Sequence, residues 1–410
     1  WRPATSGWDE MSPLRILVLT SSTGGGHDAR ASAFARWVKR LYGWSVDVRV
    51  ESMLEDSSPI ARFGVNFYNF IQKRAPWMHH PYYLLIELFG AFNRRGVALG
   101  RRYYRQVVEN FQPHLVFSVH DCLNRGYFQD ARSILGASHV RCATYCSEFS
   151  GGYGYSQNWI DPSVDLYLSR TRTAADYAVK LGLAPERIRV RGHLMDPRVY
   201  EETLETPQDR LRFREDALGL RRDRFTVFLA TGGAGANNHL ALLPVLLEFS
   251  ATHQAIVVCG RNHKAFLRVN EWRKRHPELP CHLEGYCDRM HLLIQASDTI
   301  VTRGGTTTCA KALHYGCPIL INGMGGIMPQ ERLTAKFFLQ DGATVTISGP
   351  DDLRDILRRW HRNPDAYREQ KHRFDRLRYD EEPTAAVREL IDLAREAATG
   401  LPDERVEHVI

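Results

Sequence analysis

The chain has 410 residues, of which 43% are hydrophobic and 25% charged, so its composition is globular and excludes a disordered or collagen-like protein. No apolar run approaches the about 20 residues that span a bilayer, which excludes a polytopic membrane protein. The formal net charge of +7 favours anionic partners such as nucleic acid, phosphate esters or an acidic membrane surface.

Cysteine usage and the first residues predict a cytoplasmic protein. The 8 cysteines do not form a disulfide framework, and Cys142 and Cys146 are followed by no His/Cys pair at ligand spacing. Residues 1–12 contain no apolar stretch of the signal-peptide type. We therefore expect reduced thiols, a cytoplasmic location and no structural zinc.

Two strand–glycine turn–helix patterns dominate the chain. In the first, a strand at 14–19 precedes a turn at 20–26, and in the second, a strand at 225–230 precedes a turn at 231–238. This pattern opens a nucleotide-binding βαβ unit. Further β-type runs are found at 45–50, 115–119, 140–145, 255–259, 299–302, 318–321 and 343–347. Since helical stretches separate most of them, we predict an α/β protein with two parallel-sheet domains.

The first glycine turn contains Gly24, Gly25, Gly26 and His27. It fits the fingerprint G-x-G-x-x-A, and with Glu51 at the end of the next strand it leaves a dinucleotide-dependent dehydrogenase as an alternative. It is not a P-loop, because no Gly-Lys-Ser/Thr follows. A helix N-terminus disfavours imidazolium, so His27 is either a neutral general base or a cap of the loop.

Later turns offer further groups to an anion. The second glycine turn suits the close approach of a diphosphate to backbone amides, and so does the turn after the strand at 299–302. Arg261 follows a strand and either neutralises phosphate or forms a surface salt bridge. Gln330 and Glu331 pair an amide with a carboxylate, which suits sugar hydroxyls but also suits a helix cap.

The segment from Arg62 to Arg105 holds eleven aromatic residues and eight Lys or Arg residues against one acid, Glu87. Aromatic faces with basic flanks are typical of an element that binds anionic lipid. The same composition also suits single-stranded nucleic acid, or a pair of core helices with one solvated face.

Taken in order, these motifs resemble the GT-B glycosyltransferases of the family that includes monogalactosyldiacylglycerol synthase, bacterial processive diacylglycerol glucosyltransferases and, more distantly, MurG. The likeness extends over about residues 14–343. The motifs that carry it are residues 23–27, 113–120, 147–149 with Trp159, 192–197, 259–262, 285–290, 304–308 and 330–331.

The resemblance implies two Rossmann-like domains facing a cleft, followed by helical C-terminal residues. The expected limits are 1–197 for an acceptor domain, 198–365 for a nucleotide-sugar domain, and 366–410 for helices that pack back on the first. It also implies an inverting transfer of a hexose, without metal or cofactor, from a nucleotide-sugar such as a UDP-sugar to a diacylglycerol-type hydroxyl. The partners would be this donor, the lipid and an anionic membrane surface, with peripheral attachment and no nucleic acid.

The resemblance also implies a role for each matched residue. The catalytic residues would be His27 and Glu148. The acceptor would contact Gly25, Gly26, His120 and Trp159. The donor would contact Gly232, Gly233, Ala234, Arg261, Tyr286, Cys287, Met290, Gly305, Thr306, Thr307, Lys311, Gln330 and Glu331.

Several residues depart from the family pattern, among them Glu148 in place of an Asp and Thr334 in place of an Asn. Lys311 stands where the family has a Glu that accepts hydrogen bonds from the ribose, and a lysine cannot accept them. The nucleotide and the sugar therefore stay open. Two alternatives remain beside the lipid enzyme: a GT-B enzyme with a soluble acceptor, and a non-catalytic relative that binds nucleotide-sugars.

Overall fold

The computed structural model describes residues 13–57, 59–74, 78–92, 100–230, 238–378 and 383–400. Two parallel six-stranded sheets organise these residues. The strands are β1 Leu14–Thr20, β2 Val46–Ser52, β3 Leu115–Ser118, β4 Arg141–Cys146, β5 Leu166–Ser169, β6 Ile188–Val190, β7 Phe225–Ala230, β8 His253–Val258, β9 Cys281–Glu284, β10 Thr299–Thr302, β11 Ile319–Asn322 and β12 Val345–Ile347.

Helices connect most of the strands. They are α1 Gly26–Tyr42, α2 Met53–Ser57, α3 Pro59–Arg74, α4 His79–Phe92, α5 Arg101–Phe111, α6 Tyr127–Leu135, α7 Arg172–Lys180, α8 Arg198–Glu201, α9 Pro207–Arg212, α10 His239–Glu248, α11 His263–Arg275, α12 Met290–Gln295, α13 Thr306–His314, α14 Pro329–Leu339, α15 Pro350–Arg362, α16 Pro364–Asp375 and α17 Thr384–Thr399.

The strand order is β2-β1-β3-β4-β5-β6 in the first sheet and β12-β11-β10-β7-β8-β9 in the second. Every neighbouring pair is parallel; for example, Ile16 pairs with Leu115 and Ile300 with Ile319. All residues of β4, β5 and β10 are buried, as expected for parallel strands covered on both faces. The prediction of an α/β protein with two parallel sheets is confirmed.

Each sheet has a hydrophobic cluster on both faces. Leu353, Leu357 and Trp360 of α15 pack in one cluster of the second sheet. In contrast, α17 returns to the first sheet, where Val387 and Leu390 share a cluster with the strand residues of β1 and β3. The predicted domain limits at residues 197 and 365 are not themselves tested by these contacts and stay predictions.

The carboxyl ends of both sheets lead into turns and helices that meet across a cleft. The first turns of α1 and α13 are in contact. Open parallel sheets bind ligands at this edge. Within the described ranges, no helix has both the length and the apolar character needed to cross a bilayer.

Candidate active site

The first glycine turn positions His27. Gly24 and Gly25 have φ angles of +71° and +77°, which only glycine adopts at low cost, and they turn the chain from β1 directly into α1. Gly26 is the first residue of α1 and His27 the second. The predicted acceptor residues Gly25 and Gly26 therefore lie where the helix amides point into the cleft.

The ring of His27 has a defined orientation and tautomer. Its Nδ1 lies 2.7 Å from the carbonyl oxygen of Val119 and 2.9 Å from Nη2 of Arg30. Because a carbonyl oxygen only accepts, we assign the proton to Nδ1, which donates to Val119 and leaves the lone pair on Nε2. Arg30, which can only donate, then lies close to Nδ1 without a hydrogen bond to it. Burial, His120 and Arg30 hold the pKa of His27 well below its usual value. His27 is thus a neutral imidazole whose Nε2 has no hydrogen-bond partner among the described residues.

His120 lies beside His27, as expected for a shared site. The two ring centroids are 4.2 Å apart, and Nε2 of His120 lies 2.9 Å from the hydroxyl of Thr23. Oδ1 of the neighbouring Asp121 lies 3.1 Å from Nδ1 of His120. His120 and His27 lower the pKa of Asp121 below its usual range despite burial, which would by itself raise it.

The side chains of His120, Asp121 and Cys122 are close enough to share a metal ion. Their ligand atoms all lie within 4.8 Å of one another. However, His120 is already engaged at both ring nitrogens, by the hydroxyl of Thr23 and by the amide of Cys122. A metal would have to displace one of these bonds, and burial keeps the pKa of the Cys122 thiol well above its usual value.

Glu148 follows β4 and is 7% exposed. Burial raises the pKa of its carboxyl to about 7, although Arg30, Arg170 and a hydrogen bond from the indole of Trp159 oppose the shift. The ring centroids of Trp159 and His27 are 6.3 Å apart. The structure therefore brings the predicted residues His27, His120, Glu148 and Trp159 together on one side of the cleft.

Two arginines connect this side to the N-terminus of α13, which starts after Gly305. Nη1 of Arg30 lies 3.4 Å from Oγ1 of Thr306, and Nη1 of Arg170 donates to the carbonyl of Thr306 at 2.9 Å. A Cβ added at Gly26 would lie 3.5 Å from Oγ1 of Thr307. The turn at His27 and the predicted phosphate-binding turn at Gly305 thus face each other directly.

Another group of predicted donor residues surrounds the ends of β8 and β9. The guanidinium of Arg261 lies 4.8 Å from the ring centroid of Tyr286, whose side chain is largely exposed. Cys287 and Met290 follow and are partly buried. An exposed ring backed by a guanidinium is a surface on which a nucleobase can stack.

Lys311 lies in the middle of α13 and is partly buried. Burial lowers the pKa of its ammonium, with Asp196 opposing the shift and Arg198 adding to it. The predicted donor residues Gly232, Gly233 and Ala234 lie outside the described residues.

Gln330 and Glu331 begin α14 but have different surroundings. The carboxylate of Glu331 pairs with Arg303 at 3.0 Å and accepts from the amide of Met328 at 3.2 Å. Gln330 donates from Nε2 to the hydroxyl of Tyr68 at 2.5 Å. Glu331 is therefore held in place within the protein, whereas Gln330 lies where the aromatic segment meets the second half of the chain.

The aromatic segment forms α3 and α4 and exposes an apolar surface. We name this surface the α3–α4 face. Its exposed side chains are Phe63, Phe67, Phe70, Leu84, Leu85 and Leu88. Below it, Tyr68 packs on His79 and Tyr82 with ring centroids 4.8 and 5.8 Å apart. The segment is thus a helix pair with a buried side toward the cleft and an apolar side toward solvent.

Comparison with known proteins agrees with this geometry. Residues 226–322 match the model of the glycosyltransferase family 28 C-terminal domain. A protein named as a probable chloroplastic monogalactosyldiacylglycerol synthase from Glycine max is 27% identical over 390 residues, which cover 91% of this chain and 70% of that protein.

Solved structures share the fold. MurG of Acinetobacter baumannii has a TM-score of 0.57 at 13% identity, covering 94% of this chain and all of that one. HepE of Anabaena, solved in complex with UDP-glucose, has a TM-score of 0.50 at 11% identity, covering 95% and 99%.

Two parallel six-stranded sheets, with the turns before α1 and α13 facing each other, are the GT-B fold, which the chain shares with MurG. The chain is a nucleotide-sugar-dependent glycosyltransferase that carries a family 28 C-terminal domain and has monogalactosyldiacylglycerol synthases among its relatives. The resemblance drawn from the motifs is confirmed.

Several residues of the site were not predicted from the sequence. Arg30, Arg170, Asp121, Tyr68 and Arg303 all touch the predicted residues. Asp121 directly follows His120, Arg30 follows His27 by three positions in α1, and Arg303 directly precedes the glycines before α13, so chain proximity alone was a usable signal for these three. Arg170 and Tyr68 reach the site through contacts between residues far apart in the chain.

Proposed function

We propose that the protein transfers a hexose from a nucleotide-sugar to a diacylglycerol-type hydroxyl at a membrane surface, in one inverting step. The observation that carries the proposal is the position of His27 directly after Gly26, where a Cβ would lie 3.5 Å from Oγ1 of Thr307 in the first turn of α13. An acceptor hydroxyl at His27 would lie close to a donor whose diphosphate rests on the amides after Gly305. The lipid acceptor is supported by the names of the relatives, which are synthases of a galactosylated diacylglycerol.

The chemistry follows from this arrangement. Nε2 of His27 takes the proton of the acceptor hydroxyl, and the oxygen attacks the anomeric carbon. The bond from that carbon to the diphosphate breaks, and its electron pair passes to the departing phosphate oxygen. The N-terminus of α13 stabilises the negative charge that develops there, so the proposal assigns no step to a metal. Attack opposite the leaving group inverts the anomeric configuration.

Glu148 supports the acceptor side in this proposal. Its carboxyl is held by Trp159 and lies near Arg30, within the group of residues around His27. With a pKa of about 7 it is partly ionised at neutral pH, whereas the carboxylate that opposes the lowering of the pKa of His27 is that of Asp121.

A UDP-sugar is the proposed donor, in keeping with the fold shared with the UDP-glucose complex named above. Tyr286 and Arg261 would hold the base, and Gln330 would contact the sugar. Lys311 replaces the ribose-binding glutamate of the family pattern, so the nucleotide is the part of the donor most in need of testing.

The α3–α4 face is the proposed site of membrane contact. Six large apolar side chains without a polar function are exposed on two adjacent helices whose other side reaches Gln330. Exposed apolar patches of this kind mark interaction surfaces. Lipid would then enter the cleft beside Tyr68 and reach His27 from the membrane side. The cytoplasmic location stays a prediction.

A transfer assay tests the proposal. The full chain is incubated with vesicles of phosphatidylglycerol and diacylglycerol and with UDP-, ADP-, GDP- or dTDP-hexoses, and the anomeric configuration of the glycolipid is read by NMR. We expect transfer from the hexoses of one nucleotide only, with inversion of the anomeric configuration. Replacing His27 with Ala should lower the rate by about a hundredfold or more, while donor binding persists.

The exposed His139, replaced with Ala, is the control for His27. Transfer only to soluble sugars, with diacylglycerol untouched, would instead favour the soluble-acceptor enzyme. Donor binding without any transfer would favour the non-catalytic relative.

A further inference from the structure

We propose that Arg30 and Arg170, two buried arginines on the acceptor side, hold the diphosphate of the donor against the N-terminus of α13. The inference rests on the proposed function, because it assigns these residues to the leaving group of that reaction. It adds an anion site to which both halves of the chain contribute.

Arg30 lies where two helix N-termini meet. It follows Gly26 by one turn of α1, and its Nη1 is 3.4 Å from Thr306 at the start of α13. A Cβ at Gly26 would lie 3.5 Å from Nη1 of Arg30 and 3.5 Å from Oγ1 of Thr307. A guanidinium and the positive ends of two helices of 17 and 9 residues therefore share one small space.

Arg170 brings a second guanidinium to the same point. It follows β5, is 1% exposed, and donates from Nη1 to the carbonyl of Thr306 at 2.9 Å. Its guanidinium carbon lies 4.7 Å from the centroid of Phe149, close enough for a cation–π contact. Arg170 thus faces α13 while its guanidinium lies over an aromatic ring.

The positive charges of Arg30 and Arg170 are not balanced by the carboxyl beside them. Arg30 is 3% exposed, and burial together with repulsion from Arg170 lowers the pKa of its guanidinium to about 10. The carboxyl that attracts both arginines is Glu148, which burial holds partly protonated at neutral pH. Elsewhere in the described chain, the buried Arg214 is paired with Asp298 at 2.8 Å. A buried excess of positive charge is costly unless an anion neutralises it.

Several donors at this point are unused. Nε of Arg30, Nε of Arg170 and the hydroxyl of Thr307 are buried and have no hydrogen-bond partner among the described residues. An anion with several oxygens would accept from such donors, and a diphosphate provides them. Because the developing charge of the leaving group lies on the same oxygens, the arginines would stabilise it in the transition state.

Binding of inorganic pyrophosphate to the full chain tests the site, measured by calorimetry at constant ionic strength. We expect Arg30→Met and Arg170→Met each to weaken pyrophosphate binding by about tenfold to a hundredfold, the effect of losing a charge-assisted contact. The controls are Arg40→Met, an exposed residue of the same helix as Arg30, and Arg172→Met, an exposed residue that follows Arg170. Both should bind pyrophosphate as the wild type does.

Two results would overturn the inference. One is unchanged pyrophosphate affinity in Arg30→Met and Arg170→Met proteins that melt at the wild-type temperature. The other is a wild-type protein whose melting temperature pyrophosphate raises no more than chloride of equal ionic strength. If the Met variants do not fold, Arg30→Lys and Arg170→Lys replace them: reduced affinity supports the site, since lysine lacks the forked donors, and unchanged affinity refutes it.

The experiment contains neither sugar nor lipid, so the two proposals fail separately. Pyrophosphate binding that depends on Arg30, in a protein that glycosylates no lipid, would refute only the proposed function. Lipid glycosylation by a protein in which Arg30→Met leaves pyrophosphate binding unchanged would refute only the arginine site.

Discussion

The hydroxyl of Tyr68 on α3 accepts a hydrogen bond from Gln330 on α14 at 2.5 Å, across 262 positions of the chain. Tyr68 belongs to the helix pair that exposes the α3–α4 face, and Gln330 is the residue expected to contact the donor sugar. A single bond thus connects the proposed membrane element to the proposed sugar site. Burial and Glu331 raise the pKa of Tyr68, so the hydroxyl stays protonated at any pH of interest.

Replacing Tyr68 with Phe should raise the KM for the nucleotide-sugar by about two- to tenfold, because a hydrogen bond is worth about 0.5–1.5 kcal/mol net. The ring and its packing on His79 and Tyr82 are kept, so the turnover number should change less. Steady-state kinetics at saturating lipid measure both constants. Tyr82→Phe is the control, and an equal KM shift in both variants would refute a specific role for Tyr68.

Gly154→Ala should destabilise the protein by more than the backbone strain of an alanine at positive φ alone. Gly154 has a φ of +103°, and a Cβ there would lie 2.0 Å from the carbonyl oxygen of Pro329. Gly182 has a φ of +97° with nothing within 4 Å, so Gly182→Ala isolates the backbone strain of about 1–3 kcal/mol. Urea unfolding of both variants compares them, and equal losses would mean that the loop does not pack on α14 in solution.

Glu148→Gln should change the dependence of stability on pH. The pKa of Glu148 rises from 4.5 to about 7 on folding, so its protonated form is favoured in the folded state. The stability that this group contributes is complete below pH 4.5 and is lost as the pH rises through 7, by on the order of 3 kcal/mol. Urea unfolding between pH 4 and 8 should give a smaller decline in the variant, and parallel curves would contradict the assignment.

The dependence of the transfer rate on pH distinguishes His27 from Glu148. His27 has a pKa well below its usual value, so it stays neutral down to acid pH and produces no inflection near neutrality. We expect an inflection near pH 7 in the wild type that Glu148→Gln removes. An inflection that persists in the variant would assign the titration to another residue.

Substitutions on the α3–α4 face should weaken membrane binding. Phe63 is 69% exposed, and Leu84 lies on the neighbouring helix. Phe63→Ser and Leu84→Ser should each lower partitioning into phosphatidylglycerol vesicles by about fivefold or more, the loss expected for one buried apolar side chain. Trp44→Ser is the control, since Trp44 is 92% exposed outside this face. Unchanged co-sedimentation of the first two variants would remove the face from the proposal.

Local sequence patterns were sufficient to predict most of the strands and turns. Continuous apolar runs such as β1, β7 and β8 are recognisable because strands buried on both faces need them. Three strands were not predicted: β6 and β9 are only partly buried and have no such run, and β5 is buried but only 4 residues long. Glycine turns were found because their conformations restrict the residue type.

Contacts between residues on opposite sides of the cleft could not be predicted from local sequence patterns. Arg30 and Thr306 lie 276 positions apart, and although Thr306 belongs to a recognised glycine turn, nothing around Arg30 marks it as a partner of that turn. The identity of an arginine does not indicate whether it faces solvent, a carboxylate or another arginine. That distinction depends on how two sheets dock, which periodicity does not encode.

The return of α17 to the first sheet has a consequence for biosynthesis. Ala386, Val387 and Leu390 belong to the same cluster as Ile16 and Val18, so residues near the start of the chain complete their packing only with residues near its end. During translation, the first sheet emerges from the ribosome hundreds of residues before the helix that covers part of it. The half of the enzyme that is made first is therefore finished last, and until α17 has been made, the apolar side chains that it covers on the first sheet stay without this partner.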